Sequence, residues 1–119
     1  MNTRKTGTFY ENAVCKFLEE KGIKILQRNF RCKAGEIDII GKKEECIIFF
    51  EVKYRKSTAY GYAQEAVNKK KQKKICNCAM YYCLQNKEVK QIRYDVVAIT
   101  GEEIQWIPNA FEHLGYCFL

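Results

Sequence analysis

The sequence predicts one α/β domain built around a mixed β-sheet, with its elements in the order αβββαββ and its helices packed on the sheet. Its 119 residues suffice for one domain, spanning 1–119, and leave no room for a second. Segments with helical spacing alternate with strand-like apolar segments. A helix separates the third and fourth strands, which favours a right-handed crossover and a parallel strand pair at the sheet centre.

Periodicity and turn residues place each element. The first helix has apolar residues at helical spacing and stops at Gly22, and Asn68 is an N-cap candidate for the second. Pro108 is expected to end the last strand. The predicted elements are a helix from about Phe9 to Lys21, strands Ile23–Phe30, Glu36–Ile40 and Cys46–Lys53, a helix Lys69–Gln85, and strands Ile92–Thr100 and Ile104–Ile107.

The composition is that of a globular protein. Hydrophobic residues make up 47% and charged residues 29% of the chain. No apolar run approaches the roughly 18 residues of a membrane span, and the first residues lack the apolar core of a signal peptide. Seven cysteines without a C-x-x-C pair are typical of small buried side chains in a reducing compartment, rather than of disulfides or zinc. We therefore expect a soluble, cytoplasmic domain that does not enter a membrane.

Two acidic residues interrupt the apolar strands of the predicted hairpin. Asp38 lies within an isoleucine-rich strand, and Glu51 with Lys53 follows the apolar run of the next. If Gly41 pairs with Cys46, the two carboxylates become diagonal neighbours on one face, with Cβ atoms about 7 Å apart. The alternative is a hairpin end whose charged groups emerge into solvent as an ordinary ion pair.

A pair of carboxylates this close favours a cation. Two such charges about 5 Å apart repel by roughly 3 kcal/mol at an effective dielectric constant near 20. Mg²⁺ or Mn²⁺ would resolve this repulsion and would also polarise a phosphoryl oxygen and lower the pKa of a bound water. Lys53 could orient that water or neutralise charge in the transition state.

These residues resemble the core motif of a known family. Gly35-Glu36-Ile37-Asp38 and Glu51-Val52-Lys53-Tyr54-Arg55 are similar to the G-E-I-D…E-V-K-x-R core of the YraN-like family of small bacterial proteins. That family is regarded as endonuclease-like, with the PD-(D/E)xK restriction-endonuclease fold and similarity to archaeal Holliday junction resolvases. The resemblance covers nearly the whole chain.

The resemblance implies a metal site of Asp38 and Glu51, with Lys53 as the catalytic lysine and Glu11 as a further acid that serves catalysis and the metal. Periodicity alone places Glu11 at the edge of the first helix's apolar face, where a solvated acid would look the same. Glu36 is the rival for the role of Asp38.

The chain is basic, with 21 Lys and Arg against 14 acidic residues and a net charge of +7. A polyanionic partner is one explanation of this excess, and solubility is the other. Five lysines fall within six residues at the start of the second helix, where a phosphate backbone or solvent would accommodate them. The candidate nucleic-acid contacts are Arg55, Lys56, Lys69, Lys70, Lys71, Lys73 and Lys74.

Aromatic residues and the tail allow two interpretations each. Tyr60 and Tyr62 are candidates for stacking on nucleobases, whereas Tyr81 or Tyr82 fits the core better. The apolar tail Tyr116-Cys117-Phe118-Leu119 could form a homodimer interface or fold back onto the sheet, and the second arrangement is favoured. His113 is expected to be a surface or tail residue without a role.

The function predicted from these observations is metal-dependent hydrolysis of phosphodiester bonds in DNA, with branched or flapped DNA among the candidate substrates and Mg²⁺ or Mn²⁺ as cofactor. The alternative from another class is a non-catalytic nucleic-acid-binding module that keeps the nuclease fold. A third is an interaction protein that places its basic face on an acidic partner.

Overall fold

The computed structural model of the protein describes residues 3–55 and 67–117, with side chains from residue 7 onward. The element order is the predicted one. The elements are α1 (Thr3–Glu20), β1 (Lys24–Cys32), β2 (Gly35–Lys43), β3 (Cys46–Arg55), α2 (Lys69–Gln85), β4 (Gln91–Thr100) and β5 (Glu103–Phe111). Neither helix is long and apolar enough to cross a membrane within the described residues.

The five strands form one mixed sheet in the order β1-β2-β3-β4-β5, with β3 at its centre. All neighbours are antiparallel except β3 and β4, which are parallel and joined through α2. Successive residues of β3 belong to different cores, because Phe49 packs in a cluster with α2 and Phe50 in a cluster with α1. The two helices therefore cover opposite faces of the sheet, which confirms the predicted mixed α/β fold.

The β2–β3 hairpin is longer and its register differs from the prediction by two residues. The turn consists of Glu44 and Glu45 alone, so Lys43 pairs with Cys46 and Gly41 pairs with Ile48. Glu44 adopts a left-handed φ of 55°, which a two-residue hairpin turn requires. A shift of two residues preserves which side chains share a face, because the side-chain period of a strand is two.

Gly41 lies inside β2 and is buried, not in the polar turn where the sequence placed it. A Cβ atom here would lie 2.6 Å from Cγ2 of Ile23 and 3.0 Å from Cε2 of Phe50. The absence of a side chain therefore allows the start of β1 and the apolar centre of β3 to close around this strand.

The alternation of β2 changes at Asp38. Ile37 packs in the cluster with α2, whereas Ile39 packs in the cluster with α1. Asn29, on the neighbouring strand, has a positive φ of 53° at the same level of the sheet. The β1–β2 part of the sheet is thus distorted at the level of Asp38.

Pro108 does not end the last strand, as the sequence predicted, because β5 continues to Phe111. The register of β5 against β4 shifts between Tyr94 and Val96, and Asn109 adopts a positive φ of 52° in this irregularity. β5 is an edge strand, so a proline without an N–H is tolerated at a bulge there.

The chain beyond β5 returns to the face that α2 covers. In the predicted apolar tail, however, Tyr116 is 73% exposed, and Phe118 and Leu119 lie outside the described residues. His113, to which the sequence assigned no role, joins this tail to the core. Its Nδ1 lies 2.6 Å from the buried Tyr94 hydroxyl, and its Nε2 lies 2.8 Å from the carbonyl oxygen of Tyr116. Leu114 packs against the α2 core.

Candidate functional site

The site begins where β2 separates from β3. Strand pairing ends at Ile39 and Phe50, and the next residue of each strand is Asp38 and Glu51. Beyond this point the backbone N–H of Val52 in β3 has a side-chain acceptor in place of a strand partner on β2. It donates a hydrogen bond of 2.8 Å to Oδ2 of Asp38. The distortion of the sheet therefore points this carboxylate at β3.

Glu51 is a buried carboxylate at the end of the apolar run of β3, with only 5% of the residue exposed. Its Oε1 lies 2.6 Å from Nζ of Lys71 and 3.7 Å from Nζ of Lys53. Buried charges require such partners, because an unpaired carboxylate in the interior is very costly. Two ammonium groups from different elements therefore flank one carboxylate.

Asp38 and Glu51 line the same groove, of about 470 Å³, between the open end of the β2–β3 hairpin and the first turns of α2. Burial and the nearby charge of Glu51 raise the pKa of Asp38 to about 7, although the Val52 hydrogen bond opposes the shift. The two carboxylates thus interact electrostatically, as the hairpin parity predicted. The rival acid Glu36 also lines the groove, but it is more exposed and pairs with Arg31 at 3.5 Å.

The two lysines have opposite pKa shifts. Burial lowers the pKa of Lys53, and the neighbouring Lys71 lowers it further. Burial also disfavours the charged form of Lys71, but the hydrogen bond and charge of Glu51 outweigh it and raise the pKa of Lys71. Lys71 is therefore the ammonium group that Glu51 holds, and Lys53 is the lysine that loses its proton more readily.

Lys71 is the site residue whose position sequence reasoning missed, because it grouped Lys71 with the phosphate-binding lysines. The signal was available in the helix spacing: Lys71 lies four residues before the buried Ile75, on the stripe of α2 that faces the sheet. The predicted N-cap is confirmed, and Oδ1 of Asn68 accepts a hydrogen bond of 2.9 Å from the backbone N–H of Lys71. The cap thus fixes the backbone from which this lysine reaches Glu51.

Glu11 lies on α1, a different element from the hairpin that carries the acid pair. Its Oε1 is 3.9 Å from a terminal guanidinium nitrogen of Arg28, and its charge contributes to the raised pKa of Asp38. Within residues 3–55 and 67–117, no three Asp, Glu, His or Cys side chains converge as a metal-binding group. Among the described residues, the structure therefore brings together Asp38, Glu51 and Lys53, but Glu11 does not converge with the two acids as a third member of one group.

A basic surface adjoins the acid pair. Lys69, Lys70, Lys73 and Lys74 are exposed on the first turns of α2, and Lys70 and Lys74 line the groove beside the half-buried Lys71. Arg55 is the last residue of β3, whereas Lys56 lies outside the described residues. Three of the five predicted phosphate contacts on α2, Lys70, Lys71 and Lys74, thus line the groove.

The tyrosines divide between core and surface. Tyr82 is buried in the α2 cluster, as predicted, whereas Tyr81 is 44% exposed. Tyr54, beside Lys53, is 48% exposed and stacks on Tyr10 with ring centroids 4.3 Å apart. Tyr60 and Tyr62, the candidates for stacking on nucleobases, lie outside the described residues.

Comparison with known proteins gives consistent matches over nearly the whole chain. A sequence model of the uncharacterised protein family UPF0102 matches residues 10–99. A UPF0102 protein of Lachnoclostridium phytofermentans is 42% identical over 117 residues, which cover 97% of this chain and 99% of the relative. One from Fusobacterium nucleatum is 46% identical over 111 residues, 92% of each chain. One from Clostridioides difficile is 45% identical over 114 residues, 93% of this chain and 100% of the relative.

Proposed function

The chain belongs to the uncharacterised protein family UPF0102, the YraN-like family that its motifs resemble, and we propose that it is a cytoplasmic, metal-dependent endonuclease that hydrolyses phosphodiester bonds in DNA. The αβββαββ order and the mixed five-stranded sheet are compatible with a restriction-endonuclease-like fold. Membership of the PD-(D/E)xK superfamily is part of this proposal.

One observation carries the proposal: two carboxylates from adjacent strands line one groove beside two lysines. Carboxylate oxygens are the donors that Mg²⁺ and Mn²⁺ prefer, and one or two of them suffice when waters and substrate phosphates complete the coordination. The raised pKa of Asp38 is further support, because a bound cation would relieve the repulsion that raises it. The donor set of Asp38 and Glu51 therefore fits either ion.

In the proposed reaction, Asp38 and Glu51 hold the divalent ion. When bound, such an ion polarises a phosphoryl oxygen and stabilises the leaving oxygen. Lys53 extends from the same strand as Glu51, and its lowered pKa suits it to orient the attacking water or to accept its proton. The exposed lysines of α2 position the nucleic-acid backbone without reading its sequence, which favours structure-selective recognition of branched or flapped DNA.

The test is a cleavage assay on plasmid, four-way-junction and flap substrates with Mg²⁺, Mn²⁺ or EDTA. Glu51→Gln and Lys53→Met should abolish cleavage while DNA binding persists. Glu36→Gln is the matched control, because Glu36 lines the groove beside Asp38 but pairs with Arg31. Cleavage that continues in EDTA, or that survives Glu51→Gln, would contradict the proposal.

A non-catalytic nucleic-acid-binding module is the second candidate, and the contact between Lys71 and Glu51 favours it. At 2.6 Å the ammonium group already neutralises the more deeply buried carboxylate of the pair. Such a module would bind the same DNA substrates with equal affinity in EDTA and in Mg²⁺, and it would cleave none of them.

A homodimer belongs to the proposal because two-fold symmetry matches the two scissile strands of a DNA junction. Light scattering after size-exclusion chromatography, with and without a junction substrate, would test it. A monomeric mass in both conditions would contradict the dimer and leave the hydrolysis proposal standing.

A further inference from the structure

Lys71 is bound to the very carboxylate that the proposed function assigns to a divalent cation. Its Nζ lies 2.6 Å from Oε1 of Glu51, the shortest ion pair among the described residues. An ammonium group at this distance occupies one lone-pair direction of the carboxylate, and its positive charge repels a second cation at the same group. The lysine and a cation therefore compete for Glu51.

Lys53 is less suited to this competition. It extends from the same strand as Glu51, two residues away, and its Nζ lies 3.7 Å from Oε1. Because Lys53 and Glu51 lie on the same strand, Lys53 stays close to Glu51 whatever enters the groove. Lys71 instead reaches Glu51 from a separate element, α2.

Lys71 also has an alternative partner within reach of its side chain. Its side chain is 43% exposed and lines the groove between Lys70 and Lys74. A backbone phosphate that enters this groove adds an anion on the solvent side of Lys71, and a flexible four-carbon stem lets the ammonium group follow it. Charge-assisted hydrogen bonds to phosphate are comparable to those with a carboxylate, so the exchange of partners is near balance.

We propose that Lys71 couples cation binding to nucleic-acid binding: its ammonium group holds Glu51 in the free protein and transfers to a backbone phosphate in the complex, which frees the carboxylate for the divalent ion. The inference rests on the proposed function, because it takes Asp38 and Glu51 as the cation ligands. Under this coupling, the divalent ion fully occupies its site only when nucleic acid is bound. Hydrolysis is therefore limited to bound substrate. By linkage, the cation strengthens phosphate binding by the same factor as phosphate strengthens cation binding.

The first test measures Mn²⁺ affinity of the full chain without nucleic acid, from the electron paramagnetic resonance signal of the free ion. Lys71→Met removes the competing charge, so it should bind Mn²⁺ about fivefold or more tightly than the wild type. Lys71→Gln keeps a hydrogen-bond donor without the charge and should behave in the same way, which covers the case in which the methionine variant fails to fold. Lys71→Arg keeps the charge and should retain the weak affinity of the wild type.

Lys70→Met is the matched control, since Lys70 lines the same groove on the same helix and makes no ion pair within the part of the chain that the structure describes. Its Mn²⁺ affinity should stay within about twofold of the wild type, because a screened charge farther from the acids acts weakly. Adding Glu51→Gln to Lys71→Met should abolish the gained affinity. Gained affinity that survives this double substitution would place the ion elsewhere and overturn the inference.

The second test measures the coupling itself. Fluorescence anisotropy gives the Kd of a labelled DNA duplex in EDTA and in Ca²⁺. The Kd in EDTA divided by the Kd in Ca²⁺ should be larger for the wild type than for Lys71→Met. Equal ratios, together with equal Mn²⁺ affinities for wild type and Lys71→Met, would overturn the coupling while leaving a functional cation site. Absence of Mn²⁺ binding in every variant would instead remove the proposed function on which the coupling rests.

Discussion

At the scale of single residues, two aspartates illustrate opposite environments for a negative charge. Asp95 is fully buried and saturated: it accepts two hydrogen bonds of 2.9 Å from the Arg93 guanidinium, one of 2.7 Å from Nε1 of Trp106 and one of 2.8 Å from the backbone N–H of Asn109. Asp38 accepts one backbone hydrogen bond and faces a second carboxylate. The charge of Asp95 is fully matched by its partners, whereas burial and the nearby charge of Glu51 disfavour the charged form of Asp38.

Asp38→Asn should stabilise the metal-free protein at neutral and alkaline pH. The pKa of Asp38 is raised from 3.8 to about 7, so the native state binds more protons than the unfolded chain between these values. The free energy of unfolding therefore falls as pH rises through this window and stays low above it. In EDTA at pH 8 the free energy of unfolding of the variant should exceed that of the wild type by about 1–3 kcal/mol. This difference should vanish near pH 4. Urea unfolding followed by circular dichroism at both pH values measures it; a variant less stable than the wild type at pH 8 would refute the interpretation.

Asp95→Asn should act in the opposite direction. An amide in place of the carboxylate presents an NH₂ group to the donors of Trp106 or Asn109 and leaves the Arg93 charge without its partner. Breaking such a buried pair typically costs about 3 kcal/mol or more. The same urea experiment measures this loss at pH 8, with Asp38→Asn as the isosteric comparison. Unchanged stability would mean that the network contributes no net free energy.

At the scale of elements, the hairpin decides where the acids lie. Its two-residue turn, its buried glycine and the end of strand pairing together bring Asp38 beside Glu51. The turn and the glycine do not line the groove, yet each one sets the position of a carboxylate that does. Packing outside the lining of the groove therefore sets the positions of its carboxylates.

Gly41→Ala should destabilise the protein by about 1–3 kcal/mol, because the new Cβ lies 2.6 Å from Cγ2 of Ile23 and forces the packed strands apart. Gly7→Ala is the matched control. Gly7 lies inside α1, where an added Cβ atom would have nothing within 4 Å, so alanine should stabilise that helix by about 0.5–1 kcal/mol. Thermal unfolding of both variants measures this contrast as shifts in Tm. Equal shifts would show that the structure accommodates a Cβ atom at Gly41 without a loss of stability.

The sequence predicted most helices and strands because capping residues and apolar spacing, which lie within each segment, determine them. The bounds of α2 match the prediction at both ends, since Asn68 caps it and its apolar stripe has helical spacing. The hairpin register was wrong by two residues because turn length depends on whether Glu44 accepts a positive φ, which composition does not reveal. The continuation of β5 through Pro108 depends on its place at the sheet edge, which is a property of topology. The contact between Lys71 and Glu51 joins two elements, so neither segment predicts it alone.

At the scale of the whole molecule, positive charge is concentrated beside the site. The net charge is +7, and the lysines on the first turns of α2 lie next to the groove. Such a cluster raises the local concentration of a polyanion and directs it to the groove, but the field of a screened charge extends only about 8–10 Å at physiological salt. Under the proposed function, the lysines beside the groove would therefore act on a nucleic acid bound there, and distant lysines would contribute little.

Salt dependence of DNA binding tests this arrangement. If about five phosphates are engaged, the affinity should fall roughly 500-fold between 50 and 200 mM salt, because each neutralised phosphate releases a condensed counterion. Replacing Lys69, Lys70 and Lys73 by glutamine should reduce the slope of log affinity against log salt by about 2–3, since each lost contact removes about 0.9. The matched control replaces the exposed Lys87 and Lys90, which follow α2 at its other end, and should leave the slope unchanged. Fluorescence anisotropy with a labelled duplex in EDTA measures both slopes without cleavage. If the α2 variant and the control variant gave equal slopes, the positive charge would act over the whole surface. That result would contradict the α2 lysines as the binding surface.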